Sequence, residues 1–164
     1  YFDTYWKPYL KILRTCSGSA GQKDCNYSSA TPWTRANGQR DAYLIVADGQ
    51  RTPVILSDGS FVSILTLSGY GSVEGGLDEN GNVTGNTGGT ENRVIVDLNA
   101  SKMPNQFGKD TFLFERVAGK GIMPYGYNKD DDTVNENCSK NGSGFMCAAK
   151  LIRDGWQIKD DYPW

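Results

Sequence analysis

Apolar residues near the start of the chain recur with a helical period. Phe2, Trp6, Tyr9 and Leu13 fall at spacings of four, three and four, and Tyr5 and Ile12 widen the face they define. The pattern predicts an amphipathic helix over residues 1–14, ending by Cys16, where Ser17-Gly18-Ser19 follows. Pro8 cannot donate a backbone hydrogen bond, so the helix either bends there or restarts with Pro8 in its first turn. Phe2, Trp6, Tyr9 and Leu13 are expected to be buried against strands, and Trp6→Ala to cost about 3–5 kcal/mol if its site is fully packed.

From residue 42 the pattern changes to short apolar runs broken by turn signals. Runs at 42–47, 53–56 and 61–67 are separated by Asp48-Gly49 and Asp58-Gly59, the signature of strands in a meander. Residues 68–92 are rich in Gly, Asn and Thr and predict a loop or a long polar hairpin. Strands are predicted again at 93–98 and 111–116, in an antiparallel sheet. Residues 144–154 read as a short helix, with Ser143 placed to cap its start and Gly155 placed to take the left-handed conformation beyond its end. The fold class is therefore α+β: one domain over residues 1–164, with the N-terminal helix at 1–15, the sheet region at 42–116 and a disulfide-bounded region at 138–164.

Composition narrows the function classes. Twenty glycines fit a turn-rich β domain, and the 12% aromatic content excludes a disordered chain. Seventeen basic residues against 19 acidic ones, with no basic run, give no field for nucleic acid or an anionic membrane. Histidine is absent, which removes the commonest general base and metal ligand. No Gly-x-Ser-x-Gly, Ser-x-x-Lys or phosphate-loop motif is present, so no enzymatic activity is expected.

The four cysteines form two local pairs, each with eight intervening residues. Of the three connectivities, closing each local loop requires the least rearrangement, which assigns Cys16–Cys25 and Cys138–Cys147. Disulfides imply an oxidising compartment and hence export. A chain opening Tyr1-Phe2 in a helical pattern reads as a processed form of something longer.

Asp97, Asn99, Asn105 and Asp110 gather oxygen side chains around a long turn between two strands, the chemistry that calcium prefers, although the spacing is not that of an EF-hand. The same residue types also form turns by bonding their own backbone. The alternation Asp78, Asn80, Asn82 and the run Asp130 to Asp132 read as a hairpin tip and a solvated loop. Trp156 and Trp164 could stack on sugar, but Trp156 beside Ile158 is read as core or sheet packing.

Three stretches together resemble a known family. They are Tyr5-Trp6-Lys7-Pro8-Tyr9-Leu10-Lys11 with Cys16; Val96-Asp97-Leu98-Asn99 through Pro104-Asn105, Gly108-Lys109-Asp110 and Phe112; and Cys147-Ala148-Ala149-Lys150 through Asp154-Gly155-Trp156. They are similar to the type IV pilins and type II secretion pseudopilins, which carry a prepilin-type cleavage and methylation segment. The resemblance implies a long N-terminal helix whose apolar first half inserts in the inner membrane and packs against other subunits in a filament. Residues 1–14 would be its second half. It further implies a bacterial cell-envelope or extracellular location, partners that are other copies or related subunits, and calcium in a loop of the head, as some pseudopilins have. The alternative class is a secreted module that binds carbohydrate or a host protein through glycine-rich loops.

Overall fold

In the central strands neighbouring residues are sorted onto opposite sides of a sheet, as the two-residue period of a pleated strand requires. The computed structural model describes residues 2–16, 25, 33–40, 51–65, 93–100, 102–117 and 119–164. A helical turn α1 (Phe2–Tyr5) and a 3-10 turn (Lys7–Tyr9) lead into strands β1 (Ile12–Thr15), β2 (Arg51–Leu56), β3 (Phe61–Leu65), β4 (Arg93–Asp97), β5 (Thr111–Val117) and β6 (Gly121–Pro124). Helices α2 (Asp131–Asn137) and α3 (Cys147–Arg153) complete the α+β chain. The strands form one six-stranded antiparallel sheet in the order β1-β2-β3-β4-β5-β6.

On one face Ile55, Phe61, Ile95 and Leu113 join Cys16, Cys25, Trp33 and Phe107. On the other, Val54, Val62, Ile64 and Val94 are packed by Phe2, Trp6, Leu10 and Phe114. The predicted turn at Asp58-Gly59 closes the β2–β3 hairpin. The Asp58 carboxylate accepts from the Ser60 N–H at 2.9 Å and the Ser60 hydroxyl at 2.7 Å, which holds its pKa below the usual carboxylate range, and Gly59 takes φ +89°.

The long N-terminal helix does not form. Helical hydrogen bonding stops after Tyr5 because Pro8 has no N–H to continue the ladder; Leu10 is extended (φ −109°, ψ 129°), and the chain then pairs with β2. The register shifts between Ile12 and Arg14, leaving Leu13 at a bulge. Phe2 and Trp6 are half-buried on the sheet as expected, but Tyr9 is 83% and Leu13 69% exposed, which corrects their assignment to the buried face. Trp6→Ala is accordingly expected to cost about 2 kcal/mol rather than a full core penalty, and Leu13→Ala less than about 0.5 kcal/mol, in urea denaturation.

Two further corrections concern the helices. The run Asp130 to Asp132 is not a solvated loop but the start of α2: Asp130 accepts from the Thr133 N–H at 2.7 Å, and Asp131 and Asp132 lie in the first turn, where the helix dipole favours acids. Ser143 does not cap α3; the Asn137 side chain, from the end of α2, accepts from the Met146 N–H at 2.9 Å. Gly155 is left-handed (φ +71°), as predicted. Both disulfides are also as predicted: Cys16–Cys25 follows β1, and Cys138–Cys147 ties the end of α2 to the start of α3. The strand expected at 42–47 and the polar loop at 68–92 lie outside the described residues.

Candidate functional site

The β4–β5 connection, residues 98–110, is where the structure concentrates buried polar groups. Pairing of Asp97 with Thr111 fixes its two ends. Between them Ala100 (φ +56°) and Asn105 (φ +48°) turn the backbone through the left-handed region. The four residues singled out in the sequence, Asp97, Asn99, Asn105 and Asp110, are all brought into this loop. Asp97 and Asn105 are fully buried and Asp110 nearly so.

Asp97 accepts through one oxygen from the Trp33 indole N–H (2.8 Å) and the Thr111 hydroxyl (3.3 Å), and through the other from the Asn99 N–H (3.1 Å). Asp110 accepts from the backbone N–H groups of Asn105 (3.0 Å) and Gln106 (2.7 Å), from the Asn99 amide (3.3 Å), and lies 3.3 Å from the Thr111 hydroxyl. The Thr111 hydroxyl carries one proton and faces both carboxylates, so it serves only one of them at a time.

Burial pushes the Asp97 carboxyl up from 3.8 to about 7, against the pull of the bonds from Trp33 and Asn99, and the charge of Asp110 adds to the rise. Among the described residues no cationic side chain is among the groups acting on it. The Asn105 amide nitrogen donates to the carbonyls of Lys102 (2.6 Å) and Ala100 (3.0 Å), so that side chain closes the loop internally. The Asn99 side-chain oxygen is buried with no hydrogen-bond partner among the described residues. Among the described residues no three His, Cys, Asp or Glu side chains assemble into a ligand set. Two carboxylates completed by amide and carbonyl oxygens suit a hard cation of calcium type rather than zinc.

The loop is tied to the rest of the chain by donors that sequence patterns did not reveal. Thr34 N–H donates to Asn105 O and Phe107 N–H to Thr34 O, both at 2.9 Å, while the Gln106 amide reaches Ala36 O at 3.1 Å. At the other end the Gly108 carbonyl accepts from the Tyr162 hydroxyl (2.5 Å) and the Trp164 indole (2.7 Å). Trp164 is thereby half-buried, with its indole N–H held by the Gly108 carbonyl. Trp156 corrects its assignment in the opposite sense: it is 68% exposed, with Ile158 72% exposed beside it.

Elsewhere a shallow cavity of about 330 Å³ is lined by Thr133, Glu136, Asn137, Ser139, Asn141, Gly142 and Ser143. In a separate cavity of about 250 Å³ Lys150 is buried, with Nζ 2.6 Å from Asp161 and 3.3 Å from Asp154, the second an ion pair without hydrogen-bond alignment. Burial would lower its pKa, but the two acids outweigh that and raise it, so this amine is a held cation rather than a nucleophile. Among the described residues no helix is long and apolar enough to cross a membrane. Comparison of the chain with protein-family models, with curated proteins and with solved structures found no match.

Proposed function

We infer that the chain is the head of an exported filament subunit of the type IV pilin or pseudopilin kind, in which the 98–110 loop holds calcium. The observation that carries the reading is the way the chain enters the fold: helical at Phe2–Tyr5, with Phe2 and Trp6 seated on one face of an antiparallel sheet whose other face is closed by disulfide-bonded structure. The two disulfides suit a head displayed in an oxidising compartment. In this reading the protein acts by assembly and display, with no residue performing chemistry.

Calcium would be held by Asp97, Asn99, Asn105 and Asp110, with the loop carbonyls completing its shell. It would neutralise two adjacent buried acids and fix the loop whose Gly108 carbonyl holds Tyr162 and Trp164. The gene supplies the first test. The reading frame upstream of Tyr1 should encode a short basic leader, then a small residue, Phe and about 20 apolar residues. Antibody against the head should label surface filaments sheared from cells. A frame encoding an ordinary cleaved signal peptide, with the protein free in the medium, would replace this reading with the secreted binding module.

A further inference from the structure

We propose that residues 156–160 form a docking site for an extended segment of a different protein, one in which basic residues alternate with apolar ones. The site gives the head a recognition role that does not depend on how the head is displayed.

Trp156 is an outlier in two ways. Its backbone is left-handed (φ +61°), a conformation that bulky residues rarely adopt, and it follows a second left-handed residue, Gly155. The end of α3 enforces this geometry: the Trp156 N–H donates to Leu151 O at 2.7 Å and the Gly155 N–H to Ile152 O at 3.0 Å. A left-handed position is filled with least strain by Gly or Asn. Here it holds an exposed indole, with exposed Ile158 two residues on and Ile152 on the last turn of α3. A rigid backbone presenting a large aromatic among aliphatic neighbours is the form of a protein-interface anchor. A sugar platform fits less well, because aliphatic residues flank the ring.

The surroundings specify what covers this anchor. Beyond Trp156 the chain is neither helix nor strand, and its main-chain bonding capacity is unspent. Among the described residues the N–H groups of Gln157, Ile158 and Lys159 and the carbonyls of Trp156, Gln157 and Ile158 take part in no hydrogen bond. An extended segment laid alongside would satisfy them by main-chain pairing. Apolar Trp156 and Ile158 alternate with polar Gln157 and Lys159, so such a segment would meet apolar and polar positions in turn. Charge sets the sign of its polar residues. All three bases over 150–161 are held in ion pairs: Lys150 with Asp154 and Asp161, Arg153 with Asp131, and Lys159 with Asp154. Asp160 is exposed with no cationic partner among the described residues, and the Asp161 side chain is 64% exposed. The charge left over beside the indole is acidic and calls for Lys or Arg on the incoming segment.

The test is binding of the fluorescently labelled chain to an array of short synthetic peptides that alternate Lys or Arg with Val, Leu or Phe. Matched arrays carry Glu in place of the bases, or Ser in place of the apolar residues. The basic and apolar set should bind and the other two should not, with affinity falling as salt is added. Against the best binders, Trp156→Gly and Ile158→Ser should each lose about tenfold or more in calorimetric titration. Glycine relaxes a left-handed position, so Trp156→Gly should keep or raise the wild-type melting temperature while losing the peptide, which separates lost binding from lost folding. Bound peptide should also slow hydrogen exchange at the Gln157, Ile158 and Lys159 amides, which loose adhesion between opposite charges would leave unchanged. An array with no preference for the basic and apolar set, binding unchanged by Trp156→Gly, or amides that exchange at the free rate overturns the proposal. A glycan array that binds through Trp156 where the peptides do not overturns it as well. None of these results bears on the filament reading, whose own test is the upstream reading frame and filament labelling.

Discussion

Gly108→Ala is expected to destabilise the protein by about 3 kcal/mol or more, because the position combines a left-handed backbone with no room for a side chain. Gly108 has φ +88°, and a Cβ built on it would lie 2.6 Å from the Cys147 sulfur, 3.2 Å from the Cys147 Cβ and 3.3 Å from the Trp164 indole nitrogen. The first term is conformational, about 1–2 kcal/mol for an L-residue held left-handed. The second is overpacking, about 1–3 kcal/mol, since the nearest neighbour is one half of a buried disulfide and cannot swing aside. Its carbonyl is also the shared acceptor for Tyr162 and Trp164, so a shift of the backbone loosens the C-terminal residues with the loop. Guanidinium denaturation should separate the terms. In a background with both Cys138 and Cys147 replaced by Ala, the steric part should largely vanish and the conformational part remain, giving a coupling energy of about 1 kcal/mol or more. A loss below about 1 kcal/mol in the native background would mean that the loop does not pack against the disulfide in this way.

How much of this was legible in the sequence depends on where each signal comes from. Strands β2 to β5 were legible because they are short apolar runs bounded by turn signals, with Asp58-Gly59 supplying the turn chemistry between β2 and β3. The first 15 residues misled because Phe2, Trp6, Tyr9 and Leu13 match a helical period by coincidence: two of them pack on the sheet and two face solvent. Pro8 was the contrary signal, and it outweighs the periodicity because one missing N–H cannot be restored by an amphipathic face. Asp130 to Asp132 was read as a loop from charge alone, whereas Thr133 placed three residues after Asp130 was the capping signal. Short β6 has too few residues to show a pattern. The central loop was visible as a gathering of Asp and Asn, since those residue types serve both turns and cations. Its remaining partners were not visible: Trp33 donates from 64 positions away, and Gln106 and Asn105 act through backbone N–H groups that any residue carries. Trp156 was misplaced because an alternating Trp-x-Ile stretch has the same pattern whether a sheet or solvent lies beside it.

In calcium-free buffer the stability of the wild type, measured relative to Asp97→Asn, is expected to fall as pH rises from about 4 to about 7 and then to level off. The Asp97 carboxyl has an ordinary value of 3.8 and about 7 in the fold. Below the lower value it is protonated in both states and its burial carries no charge penalty. Between the two, the unfolded chain releases the proton while the fold retains it, so each pH unit removes up to about 1.4 kcal/mol, on the order of 4 kcal/mol in all. Asp58, Asp130 and Asp154 have lowered pKa values and act in the opposite direction, but they are common to both proteins and cancel in the difference. Calcium should reverse this dependence, because it binds the ionised pair. At about a hundred times its dissociation constant it should add about 2.7 kcal/mol, or about 5–10 °C in melting temperature for a chain of this size. The gain should be greatest near pH 8 and shrink toward about pH 5, where the cation must displace a proton from Asp97. It should vanish with chelator and in Asp97→Asn, and magnesium should substitute poorly because it gives up its waters reluctantly. A melt at about pH 8 unmoved by millimolar calcium would exclude the ion. The loop would then be held by its own hydrogen bonds, with the Asn105 nitrogen donating to the Lys102 and Ala100 carbonyls and the Thr111 hydroxyl donating to Asp97.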